Sequence, residues 1–261
     1  MRTHTETVQE QFDPQAQAYL TSSVHAAGPD LRAALERVQQ RLARDAQVLD
    51  VGTGAGHLSY TLAPAVGRVV ALDPSPGMLA TVRHAAAQRG LTAIETCEAS
   101  AAALPFAPST FDLVSTRYSA HHWLDLPRAL AEMRRVVKPG GFILLIDFLG
   151  DEDALVDTHL QSLELLRDTS HVRDRSVTEW RTLLQQAGFC EVEHWTWDTR
   201  IDFVPWIERM RTPPTLVSAI RSLLEAAPAE VQRALKIEPD GSFTGQTGLF
   251  WGRAGPLALE P

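Results

Sequence analysis

"VLDVGTGAGHLSYTLA" (residues 48–63) decides how this chain is read. An apolar run ends at an acid, Asp50, passes through Gly52, Gly54 and Gly56, and then becomes a helical pattern. Glycines at such a turn let the backbone bend sharply and approach a ligand more closely than a β-carbon permits. A dinucleotide fingerprint has the spacing G-x-G-x-x-G, with a pyrophosphate on the helix N-terminus. Here the pattern is D-x-G-x-G-x-G, one residue too few between the last two glycines. Asp50 would repel a pyrophosphate but suits an ammonium group, so the loop favours a cationic ligand carrying an amino acid.

Around this loop, short apolar runs alternate with helical patterns. "QVLDV" (47–51), "RVVALD" (68–73), "AIETC" (93–97), "FDLVST" (111–116) and "FILLIDF" (142–148) read as strands buried on both faces. In "PRALAEMRRVVKPGG", Ala129, Leu130, Met133, Val136 and Val137 share a face, Pro127 suits the first turn, and Lys138 to Gly141 ends the helix. "LRAALERVQQRL" is amphipathic through Leu31, Leu35, Val38 and Leu42. Ser176 and Glu179 form a capping-box pattern, and Gly188 closes the helix that follows. "CEVEHWTWDTRI" and the Thr- and aromatic-rich 240–254 read as late strands. The expected fold is α/β, a doubly wound Rossmann-like sheet of seven strands with the last antiparallel, plus helical cap additions. The expected organisation is an N-terminal helical lid at 1–40 and a core at 41–254 with helical insertions at about 149–175 and 203–236. A tail follows at 255–261.

Composition narrows the partners. The 261 residues carry a formal net charge of −8 and no Lys/Arg-rich run, which disfavours a nucleic-acid backbone. The two cysteines, Cys97 and Cys190, suit neither a disulfide framework nor a Cys-based zinc site, as expected of a cytoplasmic protein. No run approaches the ~18 apolar residues of a membrane span, and the N-terminus has no signal-peptide core.

At the end of the second strand, Asp73 can accept hydrogen bonds from both hydroxyls of a ribose, in a nucleoside or a dinucleotide alike. After the fourth strand come His121 and His122, at the carboxyl edge where open α/β sheets bind ligands. Adjacent side chains diverge, so the pair is expected to divide its labour rather than share a metal, and no metal site is expected. One of them acts as a general base, or they position a substrate or order the loop.

Taken together, "VLDVGTGAGHLS", "VVALDPSPGML", "AAALPFAPSTFDLV", "HHWLDLPRALAEMRRVVKPGG" and "FILLID" resemble the class I S-adenosylmethionine-dependent methyltransferases. Within them they are most similar to the small-molecule branch (methyltransferase type 11) that includes the ubiquinone/menaquinone-biosynthesis C-methyltransferases. The resemblance spans about residues 45–148 and continues more weakly through the later strands. It implies S-adenosylmethionine as methyl donor and S-adenosylhomocysteine as product. Asp50 and the backbone of Gly52, Thr53 and Gly54 would hold the methionine moiety, Asp73 the ribose, and Pro74 with Met78 would pack near the adenine, with Gly56 also among the cofactor-binding residues. Ser100, followed by Ala101, stands where such families carry the acid that meets the adenine amino group. Thr116, Arg117 and Tyr118 at the strand exit would face the sulfonium and the substrate, beside the candidate catalytic residues His122 and His121.

The additions are expected to select the substrate through Tyr19, Ser23 and His25 near the N-terminus and through His171 and Arg173 after the fifth strand. The expected activity is methylation of a small organic acceptor, aromatic or carboxylate-bearing, by a monomer or homodimer. Two other readings stay open: a protein that binds the nucleoside without transferring methyl groups, and an NAD-dependent oxidoreductase on the same fold. The acidic charge, and the lack of an Asn/Asp-Pro-Pro-aromatic motif after strand four, count against methylation of DNA bases.

Overall fold

In the apolar runs, successive side chains are buried whichever way they point, so each strand needs cover on both faces. The computed structural model, which describes residues 3–12 and 28–256, provides that cover. Strands β1 (Gln47–Val51), β2 (Arg68–Asp73), β3 (Ile94–Glu98), β4 (Phe111–Arg117), β5 (Val137–Phe148), β6 (Phe189–Ile201) and β7 (Phe243–Ala254) form one sheet. Its order is β3-β2-β1-β4-β5-β7-β6. All neighbours from β3 to β5 are parallel, and β7 runs antiparallel to both β5 and β6, as expected of the last strand. The order reverses between β1 and β4, and that crevice is where such sheets bind ligands.

Two helical layers complete the sandwich. On one face lie α2 (Pro29–Arg41) and α3 (His57–Leu62), packed on Val48, Val69, Leu113, Leu144 and Trp251. On the other, α5 (Leu126–Val136) and α7 (Val177–Gln186) bury Leu130, Met133 and Trp180 against Leu49, Val114 and Phe250. Helix α4 (Pro76–Gln88) follows β2, its first turn capped by the Ser75 hydroxyl. The Ser176–Glu179 capping box opens α7 as expected. A third cluster joins α6 (Ala154–Arg167), α8 (Phe203–Met210), α9 (Pro214–Glu225) and α10 (Ala229–Ala234) over Phe148 and Phe243. The two insertions thus pack together as one cap above β5 and β7. Helix α1 (His4–Phe12) lies over the crevice.

Three local details differ from expectation. Strand β3, expected to be buried on both faces, lies at the sheet edge and has no fully buried residue. Strand β5 begins at Val137, ahead of the predicted Phe142, because Val137 pairs with Phe111 before a register shift carries Phe142 to Leu113. The buried stripe of α2 runs through Asp30, Leu31, Ala34 and Val38, with Leu35 only half-buried. Asp30 can face inward because a cation, Arg117, meets it there.

Candidate active site

The glycine loop is tied to the sheet by its own amides. Gly52 and Thr53 donate to the Leu72 carbonyl (2.8 and 2.9 Å), and the Gly54 amide donates to Asp73 Oδ2 (2.9 Å). All three amides are thus bonded within the protein, so the loop is a poor cradle for a phosphate. Gly52 and Gly54 both have left-handed backbone, φ +68° and +52°. A β-carbon at Gly52 would lie 2.0 Å from Ser119 Oγ, whereas one at Gly54 would meet nothing within 4 Å. Gly54 therefore leaves room on the cavity side.

Asp50 ends β1 almost fully buried. Its Oδ2 accepts from the hydroxyls of Ser59 (2.7 Å) and Thr53 (2.8 Å), and its Oδ1 from Ser115 (3.3 Å). Burial raises its pKa against these hydroxyl bonds and Arg117. At the end of β2, Asp73 accepts the amides of Gly54 and Ser75 (2.9 Å each), and a carboxylate oxygen has capacity for more than one bond.

These groups line a cavity of about 340 Å³. Asp50, Gly52, Thr53, Gly54, Asp73, Pro74, Met78, Ser100, Ala101, Arg117, Tyr118 and His122 all lie on its wall. Two of the predicted cofactor residues do not. Gly56 is set against Tyr60, whose ring a β-carbon would meet at 2.6 Å, and Thr116 is buried inside β4. Ser100 accepts the Ala102 amide through its hydroxyl (3.3 Å). Helix α1 roofs the cavity with His4, Val8 and Phe12, one residue per turn, and His4 Nε2 donates to the His122 carbonyl (2.8 Å). The 4-8-12 spacing is visible in the sequence, but nothing local says what the helix covers.

A second cavity of about 90 Å³ adjoins the first and shares Phe12, Tyr118 and His122 with it. Tyr118 stands between them in left-handed backbone (φ +50°), with its hydroxyl bonded to Thr247 (2.9 Å). A bulky residue held there costs on the order of 1–3 kcal/mol, and such strain gathers at functional sites. Burial pushes its hydroxyl up to about 12.

The histidines divide their labour. His121 Nδ1 lies 2.6 Å from Asp147 Oδ1, and its own amide donates to Asp147 Oδ2 (3.1 Å). Burial alone would depress its pKa, but Asp147, with Asp174 and Glu164 beyond it, raises it to about 9. His121 is therefore a cation at neutral pH. His122 Nδ1 lies 3.1 Å from the Ser170 carbonyl, which only accepts, so Nδ1 carries the hydrogen and Nε2 the lone pair. Burial, then the neighbouring His121 charge, lowers its pKa, and His122 stays neutral. Its ring lines both cavities, with Nε2 4.0 Å from Asp168 Oδ2.

His171 and Arg173, predicted to contact substrate, line neither cavity. His171 is packed behind His121 and bonded to Gln161 (2.9 Å), and burial, then the charges of His121 and His122, lowers its pKa to about 2. The Arg173 guanidinium is held by Asp157 and Glu179 (3.1 Å each). The 168–176 segment turns its arginine toward carboxylates on α6 and α7 and its acids, Asp168 and Asp174, toward the second cavity. Tyr19, Ser23 and His25 lie outside the described residues. Sequence reasoning missed Asp30, Asp147, Asp168 and Asp174. Asp30 and Asp147 are set by partners far along the chain, Arg117 and His121, and Asp168 by Ser170 two residues on, and no motif marks any of the four.

Comparison with known proteins agrees with this geometry. The family described as a methyltransferase domain matches residues 49–145. The chain is 42% identical to YafE of Escherichia coli over 193 residues, 74% of this chain and 93% of that protein. It is 32% identical to the uncharacterized methyltransferase YcgJ of Bacillus subtilis over 202 residues, 77% of this chain and 79% of that one. The crystal structure of YcgJ superposes with a TM-score of 0.80 at 28% identity, covering 86% of this chain and 99% of that chain. The chain is also 32% identical to the 2-phytyl-1,4-naphthoquinone methyltransferase of Thermosynechococcus vestitus over 184 residues, 69% of this chain and 72% of that enzyme. With a crevice that presents carboxylates where an NAD enzyme must hold a pyrophosphate, the chain belongs to the class I S-adenosylmethionine-dependent methyltransferases.

Proposed function

We propose that this protein transfers a methyl group from S-adenosylmethionine to a small organic acceptor whose reacting end enters the second cavity. The observation that carries this reading is His122, which lines both cavities and turns an unprotonated Nε2 toward the second. The larger cavity suits the cofactor. Asp50 and the loop from Gly52 to Gly54 match an amino-acid end bearing an ammonium group, Asp73 matches a ribose diol, and Met78, Ser100 and Ala101 match a flat base. When bound there, the cofactor supplies an electrophilic methyl group on a cationic sulfur. The chain's own contribution is alignment and exclusion of water, and these account for much of the acceleration of a displacement. Helix α1 closes the crevice, Tyr118 and Phe12 narrow the passage between the cavities, and His122 Nε2 accepts the X–H bond of the acceptor and orients its lone pair. His121, cationic and held by Asp147, keeps His122 neutral and its ring in place.

The test is calorimetry with S-adenosylhomocysteine, together with turnover of His122→Ala. The nucleoside should bind both proteins equally, and the variant should transfer methyl groups about a hundredfold more slowly, the scale of a lost proton acceptor. Unchanged turnover would reduce His122 to a structural residue. Binding of NAD in place of the nucleoside would defeat the whole reading.

A further inference from the structure

The wall of the second cavity presents hydrogen-bonding groups of both kinds. Two donors lack a partner among the described residues. Arg167 gives Nε to the Trp206 carbonyl (3.1 Å) and Nη1 to Glu164 (3.4 Å), but no acceptor meets Nη2. His121, a cation at neutral pH, gives Nδ1 to Asp147 (2.6 Å), and no acceptor meets its Nε2–H. Two acceptors lack a donor as well. His122 Nε2 has a lone pair, because Nδ1 holds the ring hydrogen on the Ser170 carbonyl (3.1 Å). Asp168 Oδ1 takes the amide and hydroxyl of Ser170 (2.8 and 2.6 Å), whereas Oδ2 has no hydrogen bond and lies 4.0 Å from His122 Nε2. These four side chains are only 3% to 17% exposed, so water meets them poorly. An unmet buried donor or acceptor costs on the order of 1–3 kcal/mol, more when charged, and the ligand that fits best meets both kinds.

From this arrangement we infer that the methyl acceptor is a hydroxyl group, its O–H given to His122 Nε2 and its oxygen accepting from His121 Nε2–H. The inference rests on the methyl-transfer reading above and names the acceptor class. A hydroxyl has one hydrogen and two lone pairs. The hydrogen meets His122, one pair meets His121, and the other pair is left to attack. The two rings are neighbours, their centroids 4.2 Å apart, so one oxygen can touch both. Other acceptors use these groups less well. An ammonium has no lone pair and faces His121 and Arg167. A neutral amine has one pair, and His121 would occupy it. A carboxylate brings no hydrogen for His122 and sets an anion against Asp168. The reaction's charge changes fit the same groups. The free pair of the oxygen forms the new O–C bond as the C–S bond breaks, its electron pair left on sulfur. The O–H bond breaks with its pair kept by oxygen, where Arg167 Nη2 is a second donor, and the proton passes to His122 Nε2. The positive charge lost from sulfur thus reappears on His122, where Asp168 Oδ2 is the waiting counter-ion.

The experiment is an NMR titration of the whole protein, isotope-labelled in its histidine rings, with propanol, methoxyethane, propylamine and propionate, with and without saturating S-adenosylhomocysteine. It is paired with mass spectrometry of the methylated atom in a mixed panel of alcohols, phenols, amines and hydroquinones. Propanol should shift the ring signals of both His121 and His122 and bind roughly tenfold more tightly than each of the other three, the scale of one hydrogen bond left unmet. His122→Phe keeps a ring but removes the lone pair, so propanol should fall to the affinity of methoxyethane while S-adenosylhomocysteine affinity, which reports the fold, is retained. Methyl groups should appear on oxygen. Another probe binding as tightly as propanol, propanol that shifts neither ring, a margin over methoxyethane that survives His122→Phe, or methyl groups found only on nitrogen or carbon would overturn the hydroxyl assignment and leave methyl transfer standing. If the variant does not fold, the ranking of the four probes on the unaltered protein decides by itself. Failure of the nucleoside to bind the unaltered protein would instead remove the methyl-transfer reading, and the titrations without nucleoside would still decide which group the cavity takes.

Discussion

Asp147→Asn separates the charge of His121 from its hydrogen bonds. In the folded protein, His121 is lifted from 6.5 to about 9: burial acts against the shift, and the attraction and hydrogen bond of Asp147 outweigh it. Because folding raises this value, the stabilisation is complete below the unfolded value of 6.5 and disappears as pH climbs through about 9. The full step is worth roughly 3 kcal/mol, of which about 2–3 kcal/mol remains at pH 7 and almost none at pH 10. His122 hardly disturbs the comparison, because at pH 7 and above it is neutral in the folded chain and largely neutral in the unfolded one. Asparagine keeps one acceptor oxygen where Asp147 has two, so it loses one of the two bonds from His121, and that loss is similar at both pH values. Urea unfolding of both proteins should therefore show a stability gap about 2 kcal/mol wider at pH 7 than at pH 10. A gap that does not change with pH would mean that His121 is neutral at pH 7, and the division of labour between the histidines would fall. Direct titration of the His121 ring by NMR supplies the same answer independently, with an expected midpoint well above 7.

Gly54→Ala should fold, at a cost of about 1–2 kcal/mol for a β-carbon in left-handed backbone, because that carbon meets no protein atom. It should nevertheless weaken S-adenosylhomocysteine binding more than tenfold, measured by calorimetry, because the methyl group enters the larger cavity. Asp30→Ala removes one partner of the buried Arg117 guanidinium, 2.5 Å away, and should cost up to about 3–5 kcal/mol in urea unfolding. Arg173→Ala breaks a partly exposed network and should lower stability by no more than ~1 kcal/mol with unchanged turnover. A large loss of turnover there would return Arg173 to the substrate site.

The inner sheet was legible because β1, β2, β4 and β5 each carry a contiguous apolar run and the turns have their own punctuation, whereas the edge strand β6 alternates between half-buried and exposed residues. The loop at 52–56, Asp50 and Asp73 were legible for the same reason: strand, turn and acid are neighbours in sequence, and the backbone path alone brings Asp50 and Asp73 to one crevice. The 168–176 segment misled because it is irregular. With no periodicity to set its faces, the partners that met it decided which side chains turned inward: Asp157 and Glu179 took Arg173, and Asp168 and Asp174 were left facing the second cavity.

By itself, then, the sequence determined the order of elements, the place of Asp50 and Asp73 on one crevice and the place of the histidine pair, since all of these follow from residues near one another along the chain. The tertiary structure decided the protonation of that pair, the burial of Asp30 against Arg117 and the chemistry of the second cavity. Those depend on partners brought close only by folding: His121 and His122 are adjacent and chemically identical, the carboxylate of Asp147, 26 residues away, makes one a cation, and burial together with that new charge keeps the other neutral.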